Sequence, residues 1–207
     1  YYLSNDKDNV SIRAKYQTYV AALLKLADVA DVDVKSKLIV ELETKIANAQ
    51  ASVIDSEDVH KANNPWAIDA FATAAPGLDW PAYFSGAGLA AQRSFIVWQP
   101  GAFAGESRLV DSAPLETWKD WLAYHAIEAY ADVLPKAFAE ERFEFFAKTM
   151  AGIPQQAPRW QRAVRLENNL LGDAVGRIYA ERYFSPAAKA QAQQLVGNIM
   201  AAFRKRI

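Results

Sequence analysis

Apolar side chains recur along this chain with the period of an α-helix. Tyr16, Tyr19, Val20, Leu23, Leu24 and Ala27 fall at i, i+3, i+4, i+7, i+8 and i+11, one stripe of a first helix. A second helix is predicted with Asp33 as its cap, Val34, Leu38, Leu42 and Ile46 on its buried face, and a Glu41–Lys45 pair outside. Asn64-Pro65-Trp66 reads as a cap followed by a first-turn proline, opening a short helix that Pro76-Gly77 stops. Asp79-Trp80 opens another. The second half is predicted helical over Pro114–Leu134, Lys136–Met150, Pro158–Phe184 and from Ser185 onward, with Pro135, Gly152, Pro154 and Ser185-Pro186 as punctuation. The pattern predicts a mainly α fold, an irregular multi-helix bundle with at most one short extended segment.

That segment is Ser94-Phe95-Ile96-Val97-Trp98, a run of high β-propensity ended by Pro100-Gly101. One short strand makes no sheet unaided, so it either pairs with another edge or lies as an extended connector. The helix after Pro158 carries Trp160, Val164, Glu167, Leu171, Ala174, Val175, Ile178 and Arg182 along one side, with Gly172 and Gly176 four apart. Each glycine costs a helix about 0.5–1 kcal/mol relative to alanine. Two at this spacing predict a second helix pressed against the backbone, so that Gly176→Leu would overpack the crossing.

Composition narrows the classes. The chain has 207 residues, 52% apolar and 23% charged, close to globular averages. A net charge of −1 gives no electrostatic reason to expect nucleic acid or an anionic membrane, and no apolar run approaches the ~20 residues that span a bilayer. With no cysteine, disulfides and thiolate chemistry are excluded. The start at Tyr1-Tyr2-Leu3 without Met, and a last helix running through Arg204-Lys205-Arg206 without a stop signal, predict a piece of a longer protein.

Candidate chemistry is sparse. The only histidines are His60 and His125. Glu57-Asp58-Val59-His60 is a Glu-x-x-His, and His125-Ala126-Ile127-Glu128 is its reverse; on a helix each could present two metal ligands from one face. A carboxylate di-iron bundle needs two such motifs in one direction plus two more glutamates. His125 also stands among Trp118, Trp121 and Leu122, where a hydrogen-bonded packing histidine is the plainer reading. Glu140, Glu141 and Glu144 could serve as acid–base carboxylates, but beside Arg142 and Lys148 they read as a solvated helix face. There is no Gly-x-Ser-x-Gly elbow, phosphate-binding glycine loop or His-Glu-x-x-His. No catalytic or metal-binding residue is assigned, and no substrate-binding residue is identified.

Several stretches together resemble the neprilysin and endothelin-converting-enzyme family of zinc metallopeptidases, especially its bacterial oligopeptidase members. They include Tyr1-Tyr2-Leu3, Glu41-Leu42-Glu43-Thr44-Lys45-Ile46-Ala47, Val59-His60-Lys61-Ala62-Asn63-Asn64-Pro65-Trp66 and Gly77-Leu78-Asp79-Trp80. Pro114 to Leu122 follows, although Trp121 stands where the family pattern has a tyrosine. The most specific stretches are Pro158-Arg159-Trp160-Gln161-Arg162, with Gln161 in place of a basic residue, Gly172-Asp173-Ala174-Val175-Gly176-Arg177-Ile178-Tyr179, and Tyr183 to Lys189. The resemblance implies that residues 1–207 are the helical lobe that covers a central cavity and screens substrates by size. The zinc ligands and general base would lie in a catalytic lobe after this segment, so zinc would be a cofactor of the parent enzyme and none is implied for this segment. The implied partners are that catalytic lobe and oligopeptide substrates, with no nucleic acid and no membrane contact. The implied compartment is the bacterial periplasm or another extracytoplasmic space. A stand-alone helical interaction module is the competing reading, and a small metal-dependent enzyme using His60 and His125 a third. An excised lobe would also leave apolar surface uncovered, with candidates among the aromatics of Phe95 to Phe103 and near the termini.

Overall fold

A computed structural model describes residues 1–206. It is 72% helical, with eleven α-helices and one two-stranded sheet among the described residues. The chain divides into two units, Tyr1–Pro154 and Gln155–Ile207.

In the first unit, α1 (Lys7–Leu26) is capped by Asp6, whose carboxylate accepts from the Asn9 amide at 2.8 Å. Its predicted stripe is buried at Tyr19, Val20, Leu23 and Leu24. Helix α2 (Val32–Ala49) starts after Asp31, which is in the left-handed conformation, so Asp33 lies inside the helix rather than at its cap. Its buried face also differs from the predicted one: Ser36, Ile39, Leu42 and Glu43 point inward, while Val34 and Leu38 are exposed. Glu41 pairs back to Lys37 at 3.9 Å rather than forward to Lys45. The rotation follows from Glu43, whose inward bonds are described below.

Short helices α3 (Val53–Glu57) and α4 (Val59–Ala62) lead into β1 (Pro65–Ala67). The proline therefore opens a strand, not the predicted helix. Antiparallel to it runs β2 (Ser94–Ile96), pairing Pro65 with Ile96, Trp66 with Phe95 and Ala67 with Ser94. The extended run thus has a partner, and Pro65, which has no N–H to donate, sits at the first position of its strand. A 3-10 turn (Ile68–Ala70), α5 (Phe71–Ala74) and α6 (Trp80–Gly86) then gather an apolar core of Phe71, Ala75, Trp80, Phe84 and Val97, with Trp66 and Phe95 against it. Phe84 and Phe95 stack at 4.9 Å. The turn before α6 needs glycine at 77: φ is +120°, and a Cβ there would collide with the Ser107 carbonyl.

The main core joins α1 and α2 to α8 (Leu115–Tyr130) and α9 (Lys136–Arg142), through Tyr124, Ala131 and Phe138. Helix α7 (Pro100–Ser112) crosses α2 so closely that a Cβ on Gly105 would lie 2.6 Å from the Ala49 Cβ. The helix predicted over Lys136–Met150 is continuous but changes character, since Phe143–Met150 is π-helical. The wider turn brings the adjacent Phe145 and Phe146 to the same ring, 5.0 and 5.5 Å from Tyr19.

The second unit consists of α10 (Arg159–Tyr183), kinked at Leu171, and α11 (Pro186–Arg204), capped by Ser185. Neither buries a residue. Cβ atoms on Gly172 and Gly176 would meet nothing within 4 Å, so the expected close crossing at this pair is absent among the described residues. The close approaches lie instead at Gly77 and Gly105.

Candidate functional site

The densest polar arrangement in the first unit centres on Glu43, which is only 7% exposed. A buried carboxylate is costly unless its oxygens are bonded, and here both are. The Tyr2 hydroxyl donates to Oε2 at 2.9 Å. Oε1 receives the Tyr16 hydroxyl and the Trp121 indole N–H, each at 3.2 Å, and lies 2.9 Å from His125 Nε2. With Glu43 ionised, Nε2 carries the proton of that contact. One side chain thereby ties α2 to the N-terminal segment, α1 and α8. Burial, with the Glu43 charge beside them, pushes the Tyr2 and Tyr16 phenols well above the ordinary tyrosine range; Tyr124 is raised chiefly by burial as well.

This geometry settles the reading of His125. Its ring lies 4.4 Å from Trp121 and 4.9 Å from Tyr124, and its Nε2 is committed to Glu43. Glu128, its partner in the reversed motif, turns instead to Arg142 at 3.0 Å, and Arg142 also donates to Asp132. His60 and Glu57 are both exposed, on α4 and α3. Glu140 pairs with Lys136 at 2.9 Å and Glu144 with Lys148 at 2.8 Å, both i to i+4 on an exposed face. Among the described residues no group of three or more His, Asp or Glu side chains is placed to hold a metal ion.

Sequence reasoning passed over Glu43. A signal was present: Glu43 follows Ile39 by four and Ser36 by seven, so a carboxylate shares the face of Ile39. The competing stripe through Val34 and Leu38 concealed it.

The N-terminal family model of "Peptidase family M13" matches residues 1–207. The chain belongs to peptidase family M13. Along its whole length it is 25% identical to endothelin-converting enzyme-like 1 of Mus musculus, of which it spans 27%. It is 27% identical, over 54% of its residues, to the neutral endopeptidase of Lactobacillus helveticus, of which that match spans 17%. The cryo-EM structure of Mycobacterium tuberculosis zinc metalloprotease Zmp1 in its open state superposes with a TM-score of 0.83 at 33% identity, covering 97% of this chain and 32% of that one. The family expected from the sequence motifs is therefore the family found, and the chain spans about a third or less of the M13 relatives it matches.

Proposed function

We propose that this chain is the helical, non-catalytic cap lobe of an M13 zinc metalloendopeptidase acting on oligopeptides. In this reading the lobe covers a central cavity and limits the size of what enters. The zinc and its ligands belong to the rest of the polypeptide, and the enzyme works in an extracytoplasmic compartment. The observation that carries the proposal is the proportion of the match: nearly all of this chain aligns with about a third of a zinc metalloprotease at 33% identity. The bare second unit supports it. Trp160, Val164, Leu171 and Ile178 on α10, and Leu195, Val196, Ile199 and Phe203 on α11, are all exposed, the condition of amphipathic helices whose apolar faces belong against further protein. Excluding bulk water and folded proteins from a cavity is work that walls of this kind do. Among the described residues no helix is long and apolar enough to cross a membrane.

The test compares the 207-residue chain with the longer M13 polypeptide that contains it. The 207-residue chain, supplied with zinc, leaves a quenched fluorogenic oligopeptide intact, whereas the longer protein cleaves it and spares a folded protein of similar sequence content. Chelator-sensitive cleavage by the 207-residue chain alone overturns the non-catalytic assignment. Equal rates on the oligopeptide and the folded protein, by the longer enzyme, overturn size screening.

A further inference from the structure

Between α1, α2 and the N-terminal segment lies an open groove of about 560 Å³, within the range of sites that take a short peptide or drug-sized ligand. Its walls include Tyr2, Arg13, Lys37, Glu41, Thr44 and Lys45. Two of these are fixed in advance. Tyr2 is held by the buried Glu43, and Arg13 donates through Nη1 to the carbonyls of Tyr1 at 2.6 Å and Ser4 at 2.5 Å. The hydroxyl of Thr44 is spent on the Val40 carbonyl. The cations are not spent: among the described residues Lys45 has no partner, Arg13 keeps its Nε and Nη2 free, and Lys37 meets Glu41 only at 3.9 Å. Three cations thus face one loosely paired carboxylate.

The geometry points to a binding site for an acidic segment of extended peptide, a reading independent of the cap-lobe assignment. Lys37, Glu41 and Lys45 stand at i, i+4 and i+8 on α2, so at 1.5 Å per residue the two lysines are about 12 Å apart along the helix axis, with Glu41 midway. An extended peptide advances about 3.3 Å per residue, which puts side chains at its positions i and i+4 about 13 Å apart on one face. Acidic side chains at those two positions meet the two lysines, and an uncharged polar residue between them faces Glu41 without repulsion. The ring of Tyr2, with Ala14 and Val40, supplies apolar wall for the intervening residues. A small inorganic anion matches this site poorly, because the cations are spread along a helix rather than converged on a point.

Binding is read by fluorescence anisotropy with labelled, end-blocked pentapeptides and the full 207-residue chain at low salt. Glu-Ala-Gln-Ala-Glu is expected to bind about tenfold tighter than Gln-Ala-Gln-Ala-Gln, and Lys-Ala-Gln-Ala-Lys not measurably. The double variant Lys37→Gln, Lys45→Gln is expected to weaken the acidic peptide about fivefold or more. Lys119→Gln, an exposed lysine on α8, leaves it unchanged, and melting temperatures confirm that all variants are folded. A smaller discrimination between acidic and neutral peptides, an equal loss in Lys119→Gln, or displacement of the peptide by an equal concentration of inorganic phosphate overturns the proposal.

Discussion

Residues 1–154 and residues 155–206 are built from helices of similar amphipathic character, yet only the first set converts its apolar faces into a core. Leu23, Leu24 and Ile39 are fully buried, whereas Leu195 on α11 is 61% exposed and Trp160 on α10 is 66% exposed. Periodicity shows that a helix has an apolar face; it does not show what covers that face. In the first unit the cover comes from neighbouring helices of the same unit. In the second the apolar faces of α10 and α11 are exposed among the described residues.

The contrast can be broken in four ways, taken from the largest expected effect to the smallest. Alkali acts first and most strongly, on the first unit. Its phenols Tyr2, Tyr16, Tyr19 and Tyr124 are all raised above the ordinary value of about 10, mainly by burial. A group raised in this way contributes stability that is complete below its unfolded pKa and is lost as the pH climbs from there toward the folded value. The melting temperature should therefore hold level up to about pH 10 and fall steeply beyond it, together with the rise in tyrosinate absorbance. A flat profile through that range would show that the phenols are not buried in solution.

Next is the carboxylate at the centre of that unit. Glu43→Ala strands the hydroxyls of Tyr2 and Tyr16, the indole N–H of Trp121 and the imidazole of His125, at a cost of about 4 kcal/mol in chemical denaturation. Glu43→Gln keeps an acceptor oxygen and should recover part of that loss. If alanine and glutamine behaved alike, the network would not be holding the helices together.

A pair of leucine truncations compares the two units directly. Leu23→Ala in α1 should cost about 3 kcal/mol, the usual result of opening a cavity in a packed core. Leu195→Ala in α11 should change the stability of the 207-residue chain by less than about 0.5 kcal/mol. Comparable losses at both positions would mean that α11 packs in solution.

The smallest effects are opposite in sign. Gly105→Ala pushes a methyl against Ala49 and should destabilise by about 1–2 kcal/mol. Gly176→Ala meets open space on an exposed helix and should stabilise by up to about 1 kcal/mol through helix propensity. A destabilising Gly176→Ala would restore the close helix crossing that the structure removes.

The sequence by itself determined the long helices α1, α8, α10 and α11, because a 3.6-residue period, the opening Ser185-Pro186 and breaks such as Pro135 are local signals read within a few residues of chain, but it missed α7 and placed a helix at Pro65. It also determined the family, through motifs spread over nearly the whole length, and it read Glu140 and Glu144 as part of a solvated helix face, where both are exposed. Only the tertiary structure decided which face of α2 turns inward, because that depends on four groups supplied by residues 41, 27, 78 and 82 positions away from Glu43. Likewise it decided that Pro65 opens a strand, since the strand exists only through Phe95 and its neighbours thirty residues on. And it decided which glycines are needed for close approach, Gly77 and Gly105 rather than Gly172 and Gly176. A glycine's spacing in sequence carries no information about the atoms that another part of the chain brings against it.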